Sequence, residues 1–253
     1  MHCHTLASAH AYSTIQEMAA AARKRGLMAI AVTDHGITME DAPHPWYFQN
    51  QKVLPRVIEG VNVLKGMEAN ILDGDGNLDI REEALRGLEW VVASIHYGVP
   101  ENDKEACTNA WFQVAKKDFV RVIGHSGTLK YPYDYEPVIK EFGARGKLVE
   151  INVGTFYNDR RTSIPNCMKI LQLCKKHSVP VIVDSDSHFS GGLGKFAPAL
   201  RLLEEAEFPE ELVINAEERR FRNYVWKYCG IHLSATYLNL RNGEKIVARK
   251  KAL

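Results

Sequence analysis

LMAIAVTDH, residues 27–35, is a short and almost wholly apolar run that stops at a turn and delivers a histidine. The same form recurs along the chain. Val61–Met67 runs into Glu68, Trp90–Ile95 (WVVASI) into His96, Val120–Gly124 (VRVIG) into His125, and Val181–Val183 into Asp184-Ser185-Asp186-Ser187-His188. The chain opens on a further such segment, His2-Cys3-His4, followed by a loop that carries His10. Only Leu148–Val153 ends without a strong ligand. Runs this short and this apolar suit strands buried on both faces, which belong to parallel sheets covered by helices.

Segments of helical period lie between the runs. Ser13-Thr14-Ile15-Gln16 fits a capping box built from the Ser13 hydroxyl and the Gln16 side chain, opening a helix to about Arg25 that Gly26 stops. Further helices are expected over about Lys104–Lys117, Tyr135–Ala144, Pro165–His177 and Phe196–Glu205. Repeated strand–helix alternation predicts an α/β barrel of the TIM type, in which the C-terminal strand ends meet on one rim and bring together residues far apart in sequence. Asn70–Ile80 (NILDGDGNLDI) and Tyr237–Val247 (YLNLRNGEKIV) carry Asp-Gly and Asn-Gly turns and read as β-hairpins, the second an edge or an interface. The first is no calcium loop, because counting from Asp73 puts Leu78 where an EF-hand requires glycine.

Composition describes a chain with a full core: 253 residues, 45% hydrophobic, 25% charged, net charge +1. It shows no bias toward polyanions. Apolar runs fall well short of the ~18 residues of a membrane span and no basic-then-apolar leader precedes them, so a cytoplasmic protein is expected. Cys3, Cys107, Cys167, Cys174 and Cys229 are odd in number and lack CxxC spacing, which argues for reduced thiols rather than disulfides or a zinc knuckle. Histidine usage is less ordinary. His2, His4, His10, His35, His96, His125 and His188 lie in or just after strand ends, whereas His44, His177 and His232 do not.

With Glu68 and Asp186 these imidazoles form a nitrogen- and oxygen-donor set suited to zinc, or to manganese or iron, and too rich in nitrogen for a magnesium or calcium cage. In a strand, residues i and i+2 share a face about 6.5 Å apart, so His2 and His4 can chelate one ion while Cys3 points away. Asp186 and His188 repeat that spacing. The set exceeds what one tetrahedral ion uses, so two or three ions sharing a bridging carboxylate are expected, with Glu68 the natural bridge.

HCHT (2–5), HAYST (10–14), TDHG (33–36), EDAPH (40–44), GMEAN (66–70), SIHY (94–97), GHSG (124–127) and DSDSH (184–188) occur in an order that resembles the PHP (polymerase and histidinol phosphatase) superfamily, in particular its stand-alone phosphatases of the YcdX type. The resemblance covers about residues 1–229, leaving 230–253 as a C-terminal extension. It implies a distorted (β/α)7 TIM-like barrel, with the metal site at the C-terminal ends of the strands, that holds three divalent ions, usually zinc, and hydrolyses phosphomonoesters. By motif, His2, His4, Glu68 and Asp186 look like one site, His10, His35 and His188 a second, and Glu68, His96 and His125 a third. The family pattern has a short apolar segment and an Asp-Leu pair ahead of the first histidine, where here Met1 precedes His2, so a shortened first strand is expected.

A phosphomonoester dianion needs charge neutralisation, a hydroxide at neutral pH and a stabilised leaving alkoxide. Clustered divalent ions supply all three, so a metal-bridging hydroxide is the expected nucleophile and no catalytic side chain is assigned. Arg160, at the family's arginine position, Arg161, Lys130 and His44 are the candidate substrate-binding residues; His44 could equally pack on Trp46. Asp34 and Asp184 could orient ligand imidazoles or cap turns. His177 suits a helix C-terminus, and His232 shows no partner in the sequence. Gly191–Lys195 lacks the spacing of a phosphate loop and reads as a helix-start turn. Trp46-Tyr47-Phe48 reads as buried packing ahead of a lid. The leading expectation is a small-molecule phosphatase acting on a phosphate ester, histidinol phosphate among them. A metal-dependent nuclease or proofreading module would need a basic groove, toward which only Arg219, Arg220 and Arg222 contribute, and a non-catalytic metal-binding domain would not need the full ligand set. Membrane and nucleic-acid partners are not expected, and homo-oligomerisation is left open.

Overall fold

The computed structural model describes residues 1–234. The strands are β1 (Ala29–Val32), β2 (Val57–Ile58), β3 (Val61–Asn70), β4 (Trp90–Ser94), β5 (Val120–Ile123), β6 (Leu148–Asn152) and β7 (Val181–Asp184). The helices are α1 (Ile15–Lys24), α2 (Trp46–Asn50), α3 (Glu82–Leu85), α4 (Lys104–Ala115), α5 (Tyr135–Ala144), α6 (Ile164–Lys176), α7 (Ala197–Glu205) and α8 (Glu218–Cys229). The sheet runs β1-β3-β4-β5-β6-β7, parallel throughout, with β2 antiparallel on β3. It curls into the expected TIM-like α/β barrel. The hairpin expected over 237–247 lies outside the described residues. Among the described residues no helix is long and apolar enough to cross a membrane.

Period-two geometry divides each strand between two environments. Ala31, Leu64, Trp90, Val92, Val122, Leu148 and Ile182 pack with Phe221, Tyr224 and Val225 of α8, which fills the bottom of the barrel. The alternate residues Val91, Ala93, Val149, Ile151, Val181 and Val183 pack outward with Trp111, Phe142, Leu171 and Leu202 of the surrounding helices. Continuing the inward series toward the C-terminal ends gives Glu68 and Asn70 after Leu64, Ser94 and His96 after Trp90 and Val92, Glu150 and Asn152 after Leu148, and Asp184 and Asp186 after Ile182. The interior is thus apolar below and polar above.

The first segment is not a strand. Residues 2–4 make only a parallel bridge, Cys3 to Ser187, with His4 N–H donating to Ser187 O at 3.0 Å and Thr33 N–H to Cys3 O at 2.9 Å. That short bridge spans β7 and β1 and closes the curl. The Asn70–Ile80 hairpin is likewise held by one antiparallel bridge, Ile71 to Leu78. The capping box of α1 stands one residue later than expected: Thr14 accepts from Glu17 N–H at 3.2 Å and the Glu17 carboxylate accepts from Thr14 N–H at 2.7 Å. Ser13 is instead buried, where its hydroxyl accepts from Ser190 N–H. Gly26 ends the turn after α1 at φ 75°, as the sequence suggested.

Gly124 precedes His125 because there is no room for more. A Cβ there would collide with the Ser94 hydroxyl and with Val92. Ser94 needs that space to donate to Glu68. Gly124→Ala is therefore expected to lower the unfolding free energy by about 1–3 kcal/mol in a denaturant titration, through overpacking between β4 and β5.

Candidate metal centre

The expected ligands converge on the C-terminal face. His2 and His4 are fully buried and enter from the closing segment; His35 follows β1, Glu68 lies within β3, His96 follows β4, His125 follows β5, and Asp186 and His188 follow β7. Glu68 occupies the middle. Its Oε2 lies 3.2 Å from His2 Nε2, 3.3 Å from His35 Nε2 and 3.5 Å from His4 Nε2. Its Oε1 lies 3.1 Å from His125 Nε2 and 3.5 Å from His96 Nε2, and accepts from the Ser94 hydroxyl at 2.6 Å. Asp186 Oδ1 faces His4 Nε2 at 3.1 Å and His2 Nε2 at 3.5 Å.

The far sides of five of the rings are anchored, while Nδ1 of His4 is buried without a hydrogen-bond partner. Nδ1 of His2 meets Glu150 Oε1 at 2.6 Å, and Nδ1 of His10 and of His35 meet Asp41 Oδ2 at 2.8 and 2.9 Å. Nδ1 of His96 meets Asn70 Oδ1 at 2.6 Å, and Nδ1 of His188 meets Asp186 O at 3.0 Å. An imidazole that gives its Nδ1 proton to a carboxylate or carbonyl presents the Nε2 lone pair on the other side, which is how metal-binding histidines are held. His188 Nε2 is buried and meets no hydrogen-bond partner.

His2, His4 and Asp186 form one potential ion-holding group, which with Glu68 made up the first set of the motif reading. The second expected set is less separate. His188 groups with His4 and His35, while His10, half exposed at the edge, groups with His35 and Asp41. His96 joins His35 and Glu68. Nitrogen and carboxylate donors in this arrangement fit zinc or a metal of similar preference.

The backbone is bent into place at two of these positions. His125 stands at φ 25° and Asp186 at φ 48°, conformations that side-chain-bearing residues rarely adopt. His125 is held by its N–H donating to Glu150 Oε2 at 2.7 Å. Asp186 is held through Oδ2 by Asn152 Nδ2 and Arg160 Nη1, each at 3.2 Å. Such strain persists where surroundings over-determine it, and it gathers at functional sites.

Several positioning residues escape the sequence reading. Glu150 is a buried carboxylate on β6, the strand expected to end without a strong ligand, and it supports both His2 and His125; an acid inside the run LVEIN was the available signal. Asp41 lies in the EDAPH motif, yet nothing local marks it as the partner of two rings. Asp34 does not orient an imidazole: it accepts from Thr5 N–H, the Thr5 and Ser8 hydroxyls and Tyr47 OH. Asp184 pairs with the Met1 ammonium.

Of the candidate substrate-binding residues, Arg160 and Arg161 lie on a 3-10 turn, Asn158–Ser163, beyond β6, and Arg160 reaches Asp186. Lys130 is exposed and paired with Glu101 at 2.8 Å, and His44 packs edge-on against Trp46. Trp46 is exposed, whereas Phe48 joins the core and Tyr47 bonds Asp34. His177 pairs with Glu136 and His232 stacks on Trp226. Arg219 and Arg220 pair with Glu217, and Arg222 with Glu218.

Charge is balanced within the cluster. Burial opposes ionisation of Glu68 and Asp186, but the imidazoles facing them outweigh it and hold both carboxyls well below the usual range. Burial likewise opposes protonation of His2 and His35, yet Glu68, with Glu150 and Asp186 around His2 and Asp41 beside His35, raises both, His35 to about 9. Burial pushes His96 down to about 3, and burial with the nearby His4 pushes His188 down to about 4. The field that draws protons onto His2 and His35 is one that would draw a cation.

Fold and site together define a class, the TIM-like α/β barrels that gather imidazoles and carboxylates at the C-terminal ends of their strands. Residues 1–153 match the PHP domain, and the chain belongs to that family. It is 42% identical to a protein of Clostridium novyi (strain NT) named "probable phosphatase", over 89% of this chain and 93% of that one. It is 43% identical to a "probable phosphatase" of Thermoanaerobacter sp. (strain X514), over 88% and 92%. Its fold is similar to that of the histidinol phosphate phosphatase of Lactococcus lactis, solved in complex with zinc, L-histidinol and phosphate, with a TM-score of 0.54, 18% identity, and coverage of 82% of this chain and 93% of that one.

A metal that ligates His2 and His35 must displace their protons. Zinc binding to the metal-free protein at pH 7 is expected to release more than one proton per chain, read by calorimetry in buffers of different ionisation enthalpy. The release should shrink as pH rises through about 9, where His35 loses its proton before the metal arrives. Uptake at pH 7 with no proton released would contradict it. Because its folded pKa is raised, His35 stabilises the metal-free fold fully below about 6.5, and that contribution is lost as pH rises through about 9.

Proposed function

We propose that this protein is a metal-dependent phosphatase that hydrolyses small phosphomonoesters at a centre of three divalent ions, zinc first, with manganese or iron as substitutes. The observation that carries the reading is the set of imidazoles directed through Nε2 at the two oxygens of Glu68, three of which, His2, His35 and His96, are anchored on the far side through Nδ1. The ligands are His2, His4, His10, His35, Glu68, His96, His125, Asp186 and His188. The phosphatase names of the relatives, and the zinc, histidinol and phosphate of the Lactococcus enzyme, support this class of substrate, with histidinol phosphate one member of it.

Ions so held would neutralise the phosphate dianion and make a hydroxide available at neutral pH. The chain's own part is positional. Glu150, Asp41 and Asn70 fix the rings of His2, His10, His35 and His96, Ser94 holds one oxygen of Glu68, and Arg160, exposed and resting on Asp186 at the edge of the cluster, would supply a guanidinium to a phosphate bound there. Arg161 is its exposed neighbour. Arg219, Arg220 and Arg222, the residues that would contribute a basic patch, are paired with Glu217 and Glu218, which favours the phosphatase reading over the nuclease one.

Protein dialysed free of metal and assayed with p-nitrophenyl phosphate and single-stranded DNA, with zinc or manganese restored, separates the readings. Metal-restored phosphatase activity without DNA degradation is expected; a fully loaded protein inert toward phosphomonoesters would sink the proposal. Glu68→Ala is expected to lose ions from more than one site by elemental analysis, and a full complement would refute the bridging role.

A further inference from the structure

The side chains of the cluster do not share one environment. Those of His2, His4, Glu68, His96, His125 and Asp186 are at most 13% exposed. His10 is 53% exposed and His188 25%. These two lie together at one edge, with ring centroids 4.4 Å apart, and the His35 ring lies 5.1 Å from His10 and 5.7 Å from His188. His10, His35 and His188 are the second ligand set of the motif reading, so two of its three members face water.

The outer support of this set is also narrower. His2 leans on Glu150 and His96 on Asn70, each ring with a buried partner of its own. His10 and His35 share one, because both Nδ1 atoms meet Asp41 Oδ2, at 2.8 and 2.9 Å. The loop that carries His10 has separate backbone ties: Ala9 N–H donates to Asp41 O at 2.9 Å, Tyr12 N–H to His188 O at 2.8 Å and Leu6 N–H to Ser13 O at 2.9 Å. Loss of the Asp41 carboxylate therefore removes the support of two rings and leaves those ties in place.

A carboxylate that takes the Nδ1 proton of an imidazole orients the ring and makes Nε2 a stronger donor, and losing such a partner costs about 10–100-fold in metal affinity. At this edge a single carboxylate serves two of one ion's three ligands. Exchange of a bound ion begins when water or a chelator replaces a ligand, and the surroundings of a site control that access. The exposed edge is where exchange begins.

We propose that the ion at His10, His35 and His188 is the exchangeable one of the centre, and that Asp41 is the positioning residue that sets how tightly it is held. The inference rests on the three-ion reading above. The test mixes the zinc-loaded full chain with an excess of the colour-forming chelator pyridylazoresorcinol and follows zinc release by absorbance. One zinc per chain is expected to leave at least about tenfold faster than the others. His10→Ala should lack the fast phase and keep the slow one, which places the fast ion at this edge. Asp41→Ala should weaken the same ion by about 10–100-fold in a competitive chelator titration, with the other ions changed by less than about threefold. Asp41→Asn, which keeps an acceptor oxygen and loses the charge, should fall between Asp41→Ala and the unaltered protein. Release of all ions in one phase, a fast phase that survives in His10→Ala, or an Asp41→Ala protein with every affinity unaltered or every ion weakened alike would overturn this inference and leave the three-ion reading standing. An unaltered protein that takes up fewer than three ions at saturating zinc would overturn both.

Discussion

The carboxylate of Glu68 is buried at the centre of the barrel mouth, where an isolated charge costs several kcal/mol. What makes it tolerable is the shell of imidazole nitrogens 3.1 to 3.5 Å from its oxygens, with the Ser94 hydroxyl closer still. Those imidazoles come from the closing segment and from the ends of β1, β4 and β5, so holding the charge requires the strand ends to lie in register around it. Gly124 has no side chain because Ser94 must reach Glu68, and the His125 backbone turns into a left-handed conformation to bring its ring inward.

The same strands that carry the ligands build the core below them. The alternation that buries Leu64 under Glu68 and Leu148 under Glu150 sets an apolar floor, closed by α8, beneath a polar roof. The floor excludes water from below and fixes the height at which the charged groups appear. Around the roof, Glu150, Asp41 and Asn70 hold the rings of His2, His35 and His96 by their outer nitrogens, and the inner nitrogens crowd together, His2 and His4 at 3.2 Å. Lone pairs and carboxylates packed so closely are reconciled by protons or by metal ions.

Much of this was legible in the sequence because it is local. The apolar runs located β1 and β3 to β7 to within a few residues, and the helices α4 to α7 followed from their period and stop signals. What the sequence concealed depends on distant partners. Ser13 had the credentials of a cap, but Ser190 claims its hydroxyl across 177 residues and the cap passes to Thr14. Glu150 is a single acid in an apolar strand, and its role depends on His2, 148 residues away. Asp34 had the sequence position of a ring-orienting acid, yet Thr5, Ser8 and Tyr47 use up its oxygens. The motifs gathered residues that the structure brings together, while His4 and His35 each stand in more than one of the potential ion-holding groups, a sharing that motif order alone does not show.

The bridge at Cys3 closes the barrel with very few hydrogen bonds, and the histidines on either side of it face Asp186 from the opposite end of the fold. An ion held as proposed by His2, His4 and Asp186 would therefore act as a covalent-like staple across a loop of about 180 residues, the sequence separation of His4 and Asp186 being 182. A cross-link that long removes about 5 kcal/mol of chain entropy from the unfolded state on the simplest polymer estimate. Seen so, the sparsely hydrogen-bonded seam of the barrel is also the place where an ion held in this way would tie the first residues of the chain to the loop after β7.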